Sequence, residues 1–140
     1  MVRLFLVPAM LLFGLYVLIH GEASPGGGFQ AGAIMGAAII LARLSLDREQ
    51  AQRLLSTRLV PTLVILGGLI TVGIGVVPVI TGGNFLDYGA LPLPQQDGYV
   101  LPHFRIRSIG ILVFELGIAI TVMAVMVTIF DYLAGYPNDR

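Results

Sequence analysis

Four predominantly apolar stretches divide this 140-residue chain, at residues 4–20, 29–44, 59–80 and 109–133. A helix needs about 20 residues to cross a hydrocarbon core near 30 Å thick, so each stretch is read as one crossing. Inside lipid every backbone N–H and C=O has to be satisfied within its own segment, which leaves helices as the solution for separate apolar runs. The expected fold is therefore all-α, an integral membrane protein with four transmembrane helices forming a single membrane domain over residues 1–140. Charge supports the same reading. Only 11% of the residues are charged, against roughly 25% in soluble domains.

The same composition excludes several function classes. Arginine is the only strong base and the formal net charge is zero, so the basic surface that nucleic acid requires is missing. There are no cysteines and only two histidines, His20 and His103. Disulfides, thiolate metal sites and iron–sulfur ligation are thereby removed, and no cofactor or resident metal is expected.

The first stretch carries Pro8 in its early turns, where a missing N–H is tolerated. Its rival reading is a cleaved signal peptide, with Arg3 as the basic end and Gly21 and Ala23 as small residues; the apolar run is longer than such a peptide needs. Almost no polar linker separates stretches one and two, so they form a tight hairpin through Pro25-Gly26-Gly27-Gly28. Between Ala42 and Leu59, Arg43, Arg48, Arg53 and Arg58 mix with Asp47 and Glu49 in a short interfacial helix, with Asp47 and Gln50 at capping-box spacing. The third stretch closes through Pro78 into Thr81-Gly82-Gly83-Asn84. A Pro-rich loop then runs to about Arg107, suited to an irregular ordered cover or a short strand pair.

Small residues recur along three stretches: Gly28, Gly32 and Gly36; Gly67, Thr71 and Gly75; and Gly110, Gly117, Thr121 and Ala124. Lipid competes equally for apolar surface, so helix association in a membrane relies on such close packing. Much of this is intrachain packing, yet the glycine faces exceed what one small bundle buries, which points to neighbouring membrane subunits. Glu115 stands alone among apolar residues in the last stretch. A carboxyl there has to face protein or trapped water, and it points nearly opposite Gly117 on the helix. Asp131 reads as interfacial, and His20 and His103 sit at membrane edges. The Gly26-x-Gly28-x-x-Ala31 run lacks the strand and βαβ unit of a dinucleotide site; its glycines are instead suited to a sharp bend that presents N–H groups at a helix start.

Gly21 to Phe29 resembles the Gly-His-x-x-Pro-Gly-Gly-Gly-Phe hallmark that follows the first membrane helix in the MnhB/MrpB family, one of the small membrane components of the Mrp-type multisubunit Na⁺/H⁺ antiporters. Phe114-Glu115-Leu116-Gly117 is similar to the family's Phe-acid-Leu-Gly in the closing helix. Here Glu22 replaces the usual His, with His20 two residues earlier, and the glycine after Phe29 is reduced to Ala31-Gly32. The resemblance implies a subunit of a prokaryotic cation/proton antiporter in the cell membrane, acting beside larger antiporter-like subunits. Under it, Glu115, Glu22 and His20 are the candidates for an ion path, and Pro25, Gly26, Gly27, Gly28 and Phe29 form the motif turn. Alternatives are an ion-translocating subunit of a related membrane-bound hydrogenase or respiratory complex, and a purely structural subunit.

With four crossings, Arg3, Arg43, Arg48, Arg53, Arg58 and Arg140 share one side, against Arg105 and Arg107 on the other. That bias places both termini in the cytoplasm. Since the chain has no cysteine, a single Gln50→Cys is a clean reporter. It is expected to react with an impermeant maleimide only after the cytoplasmic face is opened, and labelling from outside in intact cells reverses the topology.

Overall fold

A computed structural model describes residues 5–21, 26–91 and 103–135. Its elements are α1 (Val7–Ile19), α2 (Gly28–Ser45), α3 (Arg48–Leu54), α4 (Leu59–Ile80), a 3-10 turn (Tyr88–Ala90) and α5 (His103–Leu133). Among the described residues there is no strand. Three helical segments are long and apolar enough to cross a membrane, and α1 is a shorter apolar helix. Helix α5 begins at His103, six residues before the apolar stretch that starts at Ile109. Hydropathy marks the part of a helix that suits lipid, whereas Arg105 and Arg107 are good helix formers that carry the same helix beyond it.

The helices form a ribbon instead of a closed bundle. In order across it they run α1, α2, α5, α4, and no Cα of α1 or α2 comes within 8 Å of a Cα of α4. Helices α2 and α5 are parallel: Gly28 lies on Glu115, Gly32 on Ala119 and Gly36 on Met123 and Met126. Helix α4 runs antiparallel to α5, with Gly67 on Thr121 and Gly117 on Thr71. Two small apolar clusters pin these contacts, one of Leu18, Ala31 and Ala119, the other of Val60, Ala124 and Val127.

The glycines are what let the backbones meet. A Cβ at Gly28 would fall onto the carbonyl oxygen of Glu115 and 2.9 Å from its Cα, and one at Gly32 would come 2.6 Å from the Ala119 oxygen. Between α4 and α5 the arrangement is reciprocal. Each helix offers a Gly-x-x-x-Thr, and the Thr71 and Thr121 hydroxyls donate to Gly67 O and Gly117 O, each at 2.9 Å. Each hydroxyl is thus satisfied on its own helix while its side chain fills the space above the opposite glycine.

These contacts bear out intrachain packing as the use of most of the stripes and correct the expectation that the glycine faces exceed what one small bundle buries. Nearly all are consumed inside the chain, and only Gly68 and Gly73 among those of the spans meet nothing within 4 Å. What the ribbon leaves uncovered is large aliphatic and aromatic surface, including Leu12 at 68% exposure, Ile65 at 62% and Leu69 at 63%. Such an area calls for lipid or other membrane helices.

After Pro78 the chain folds back as a cover. Gly83 N–H donates to Pro78 O at 2.8 Å and Leu86 N–H to Gly75 O at 3.2 Å, with Leu86 itself at φ +65°. Tyr88 then packs on Gly110 and against the Phe114 ring, centroids 6.1 Å apart. Burial there pushes the Tyr88 phenol above its ordinary value. Of the loop expected to run to about Arg107 as an irregular cover or a short strand pair, residues 92–102 lie outside the described residues. Helix α3 occupies the interface segment, but the expected capping box does not form: Asp47 stands at the N-cap without a side-chain capping bond. Gln50 lines a cleft against α1.

Adjacent glycines in α4 test the packing account. Gly67→Ala is expected to lower stability by about 1–3 kcal/mol, the usual range for overpacking, because its Cβ would lie 2.8 Å from Gly117 O. Gly68→Ala, which meets nothing within 4 Å, is expected to leave thermal unfolding in detergent unchanged or slightly raised.

Candidate functional site

Glu115 stands 12 residues along α5 from its start at His103, about 18 Å at 1.5 Å per residue. It is level with the turn between α1 and α2. A Cβ at Gly21 would come 2.6 Å from Glu115 Oε2, and one at Gly27 would come 3.2 Å from Oε1. Both carboxylate oxygens therefore lie against the two glycines that flank the turn, and larger residues at either position would displace the acid. The two glycines are themselves close, since a Cβ at Gly21 would also sit 2.8 Å from the Gly27 Cα.

Local backbone explains why glycine occupies position 27. Its φ of +145° is a conformation that residues with a Cβ rarely adopt. From it α2 starts at Gly28, which has to lack a side chain for the separate reason that α5 backbone lies directly above. The sequence placed Glu115 among apolar neighbours of its own helix. Its tertiary surroundings are the glycine turn and a cleft of about 120 Å³ lined by Ile19, Ser108, Ile109, Leu112 and the acid itself. By volume this has room for water.

The other sequence candidates distribute unevenly around this point. Gly26, Gly27 and Gly28 form the descent into α2, and Phe29 is exposed at 63% on its first turn. His20 caps α1: its Nδ1–H donates to Tyr16 O at 3.0 Å, and its ring stacks on Tyr16 with centroids 4.2 Å apart. Glu22 and Pro25 lie outside the described residues. Gly117 faces α4 while Glu115 faces the α1–α2 turn, so the two sides of α5 serve different neighbours.

A second polar group lies at the far end of α5. Asp131, read from sequence as interfacial, is 8% exposed, and Arg43, read as part of the interface segment, is 3% exposed. Their Nη1 and Oδ1 atoms are 2.7 Å apart, and Arg43 Nη2 donates to Leu55 O at 3.2 Å. Arg43 thereby ties the end of α2 to the end of α5 and to the chain entering α4. The sequence carried no signal for the pairing, because the residues are 88 positions apart and meet only through the parallel packing of α2 on α5. From Glu115 to Asp131 is 16 residues of helix, about 24 Å.

Breaking one member of a buried pair leaves an uncompensated charge, at a cost of about 3–5 kcal/mol. Arg43→Leu is therefore expected to lower thermal stability by this order. The double variant Arg43→Leu/Asp131→Leu is expected to recover most of the loss, since neither charge then remains buried. A double variant no more stable than Arg43→Leu contradicts the pairing.

Comparison with known proteins identifies the family. Residues 1–128 match the family model described as a domain related to the MnhB subunit of Na⁺/H⁺ antiporter. Similar proteins named "Putative antiporter subunit mnhB2" occur in Staphylococcus haemolyticus, 36% identical over 130 residues, covering 90% of this chain and 85% of the relative, and in Staphylococcus epidermidis, 35% identical over 130 residues with the same coverage. One from Staphylococcus aureus is 34% identical over 128 residues, again covering 90% of this chain and 85% of the relative. A match over most of both chains, together with four apolar helices and the glycine turn that opens the second, establishes that this chain belongs to the family of domains related to the MnhB subunit of Na⁺/H⁺ antiporters.

Proposed function

We propose that this chain is a membrane subunit of a multisubunit Na⁺/H⁺ antiporter of the Mrp type, acting as one membrane domain with both termini in the cytoplasm, and that Glu115 takes part in its ion path. The observation that carries the reading is the carboxylate of Glu115 held against the glycine turn at Gly21 and Gly27, beside a cleft large enough for water. A carboxyl at such a boundary is wetted on one side and enclosed on the other. It accepts or releases a proton when a cation or a neighbouring charge approaches.

The chain supplies one end of such a path and relies on neighbours for the rest. Between Glu115 and Asp131, α2 and α5 meet through Gly32, Ala119, Gly36 and Met126. The Thr121 and Thr128 hydroxyls along α5 donate to carbonyls of their own helix. Backbone on backbone leaves no room for a wire of waters there. Partner subunits on the exposed faces of the ribbon are thus part of the reading, and with Arg43 engaged in its ion pair orientation rests on Arg3, Arg48, Arg53, Arg58 and Arg140 against Arg105 and Arg107.

Paired substitutions of the acid test the role. Glu115→Gln keeps shape but cannot titrate, and Glu115→Asp titrates but is shorter by one methylene. In everted vesicles with equal assembly, antiport is expected to fall about ten-fold or more for Gln, which removes the proton-accepting group. Asp is expected to retain more activity and to show a shifted pH profile. Parental rate and pH dependence for the Gln variant would remove Glu115 from the path and leave it a packing group of the turn.

A further inference from the structure

We propose that the cleft between the start of α1 and α3 is a binding site for one anionic phospholipid, with an acyl chain along α1 and the phosphate on Arg53. The cleft has a volume of about 460 Å³, within the roughly 300–1,000 Å³ of small-molecule sites. Its walls are amphipathic in the same sense as a phospholipid. Pro8 and Leu11 of α1 face Leu46 and Leu54, and Gln50 and Arg53 of α3 supply the polar end.

Position fits the boundary that a lipid headgroup occupies. Helix α1 is apolar throughout, whereas Asp47, Glu49, Arg53 and Arg58 in and beside α3 are all exposed, so the cleft runs from the apolar side to the wet side of the interface. Charge selects the headgroup. Arg53 makes no ion pair with any described residue, and Glu49, the acid one turn before it, does not line the cleft. A guanidinium is suited to holding a phosphate by two parallel N–H bonds. An anionic lipid neutralises it, while a zwitterionic lipid brings its own cation to the same place. This site is at the opposite end of the ribbon from Glu115 and does not depend on the transport reading.

The absence of tryptophan from the chain makes a direct test available. Leu54→Trp, at an exposed edge of the cleft, is the sole indole of the full chain purified in a neutral detergent. Its fluorescence is titrated with phosphatidylglycerol and with phosphatidylcholine carrying brominated acyl chains, which quench on contact. Half-quenching is expected at about five-fold less phosphatidylglycerol than phosphatidylcholine, the ratio that one interfacial arginine supplies. Adding Arg53→Gln is expected to reduce that ratio to less than about two-fold, and Arg58→Gln, outside the cleft, to leave it intact.

Equal quenching by the two lipids overturns the proposal, as does a preference that survives Arg53→Gln or that Arg58→Gln abolishes equally. Displacement of the brominated lipid by soluble glycerol phosphate would reduce the feature to an anion site without a lipid, and would overturn it too.

Discussion

Close approach of α5 to its neighbours governs the rest of this molecule. On one side Gly28 and Gly32 of α2 lie directly against α5 backbone, and on the other Gly67 of α4 and Gly117 of α5 meet beneath Thr121 and Thr71. In lipid an apolar side chain gains little by exchanging a lipid neighbour for a protein one, so helices stay together through contact density. Glycine maximises that density by letting main chain touch main chain. The larger residues of the ribbon are mostly turned outward, which is why its buried core consists largely of alanine, glycine and valine.

Parallel packing of α2 on α5 has a chemical consequence. Two helices that start together and run together bring the beginning of α2 beside Glu115 and its end beside Asp131. The polar groups of the interface are thereby sorted to its two ends with a dry, tightly packed interval between them. At one end an acid lies by a glycine turn and a small cleft; at the other an arginine is closed off by a carboxylate and a main-chain carbonyl. A chain built in this way is suited to position ionisable groups at membrane boundaries. The family's description is that of an antiporter subunit, which implies other subunits beside this chain.

The ribbon arrangement also explains why so small a protein does not close on itself. Helix α5 has both flanks occupied, by α2 and by α4, and the 3-10 turn with Tyr88 lies on its upper part at Gly110. Helices α1 and α4 are left on the outside with broad apolar surfaces such as Leu12, Phe13, Ile65 and Leu69. Those surfaces are compatible with lipid and with neighbouring membrane helices alike. The uncovered positions, and not the glycine stripes, are what the tertiary structure offers to partners.

Much of this was legible in the chain itself. Apolar length marks α1, α2, α4 and α5, because lipid forces each long uncharged run to satisfy its own backbone. The mixed charges around Asp47 and Arg53 mark α3, and Gly26-Gly27-Gly28 marks the hairpin turn, because one residue there adopts a φ that side chains resist. Even the opposed directions of Glu115 and Gly117 follow from helical geometry. Tertiary structure alone decided which helix each face meets: that Glu115 belongs to the glycine turn, that Arg43 and Asp131 pair across 88 positions, and that Gln50 lines a cleft against α1. Helical period specifies which residues share a face but carries no record of the neighbour, its direction or its register. Those are set by which small residues allow two backbones to come close, a property of pairs of surfaces and not of either segment.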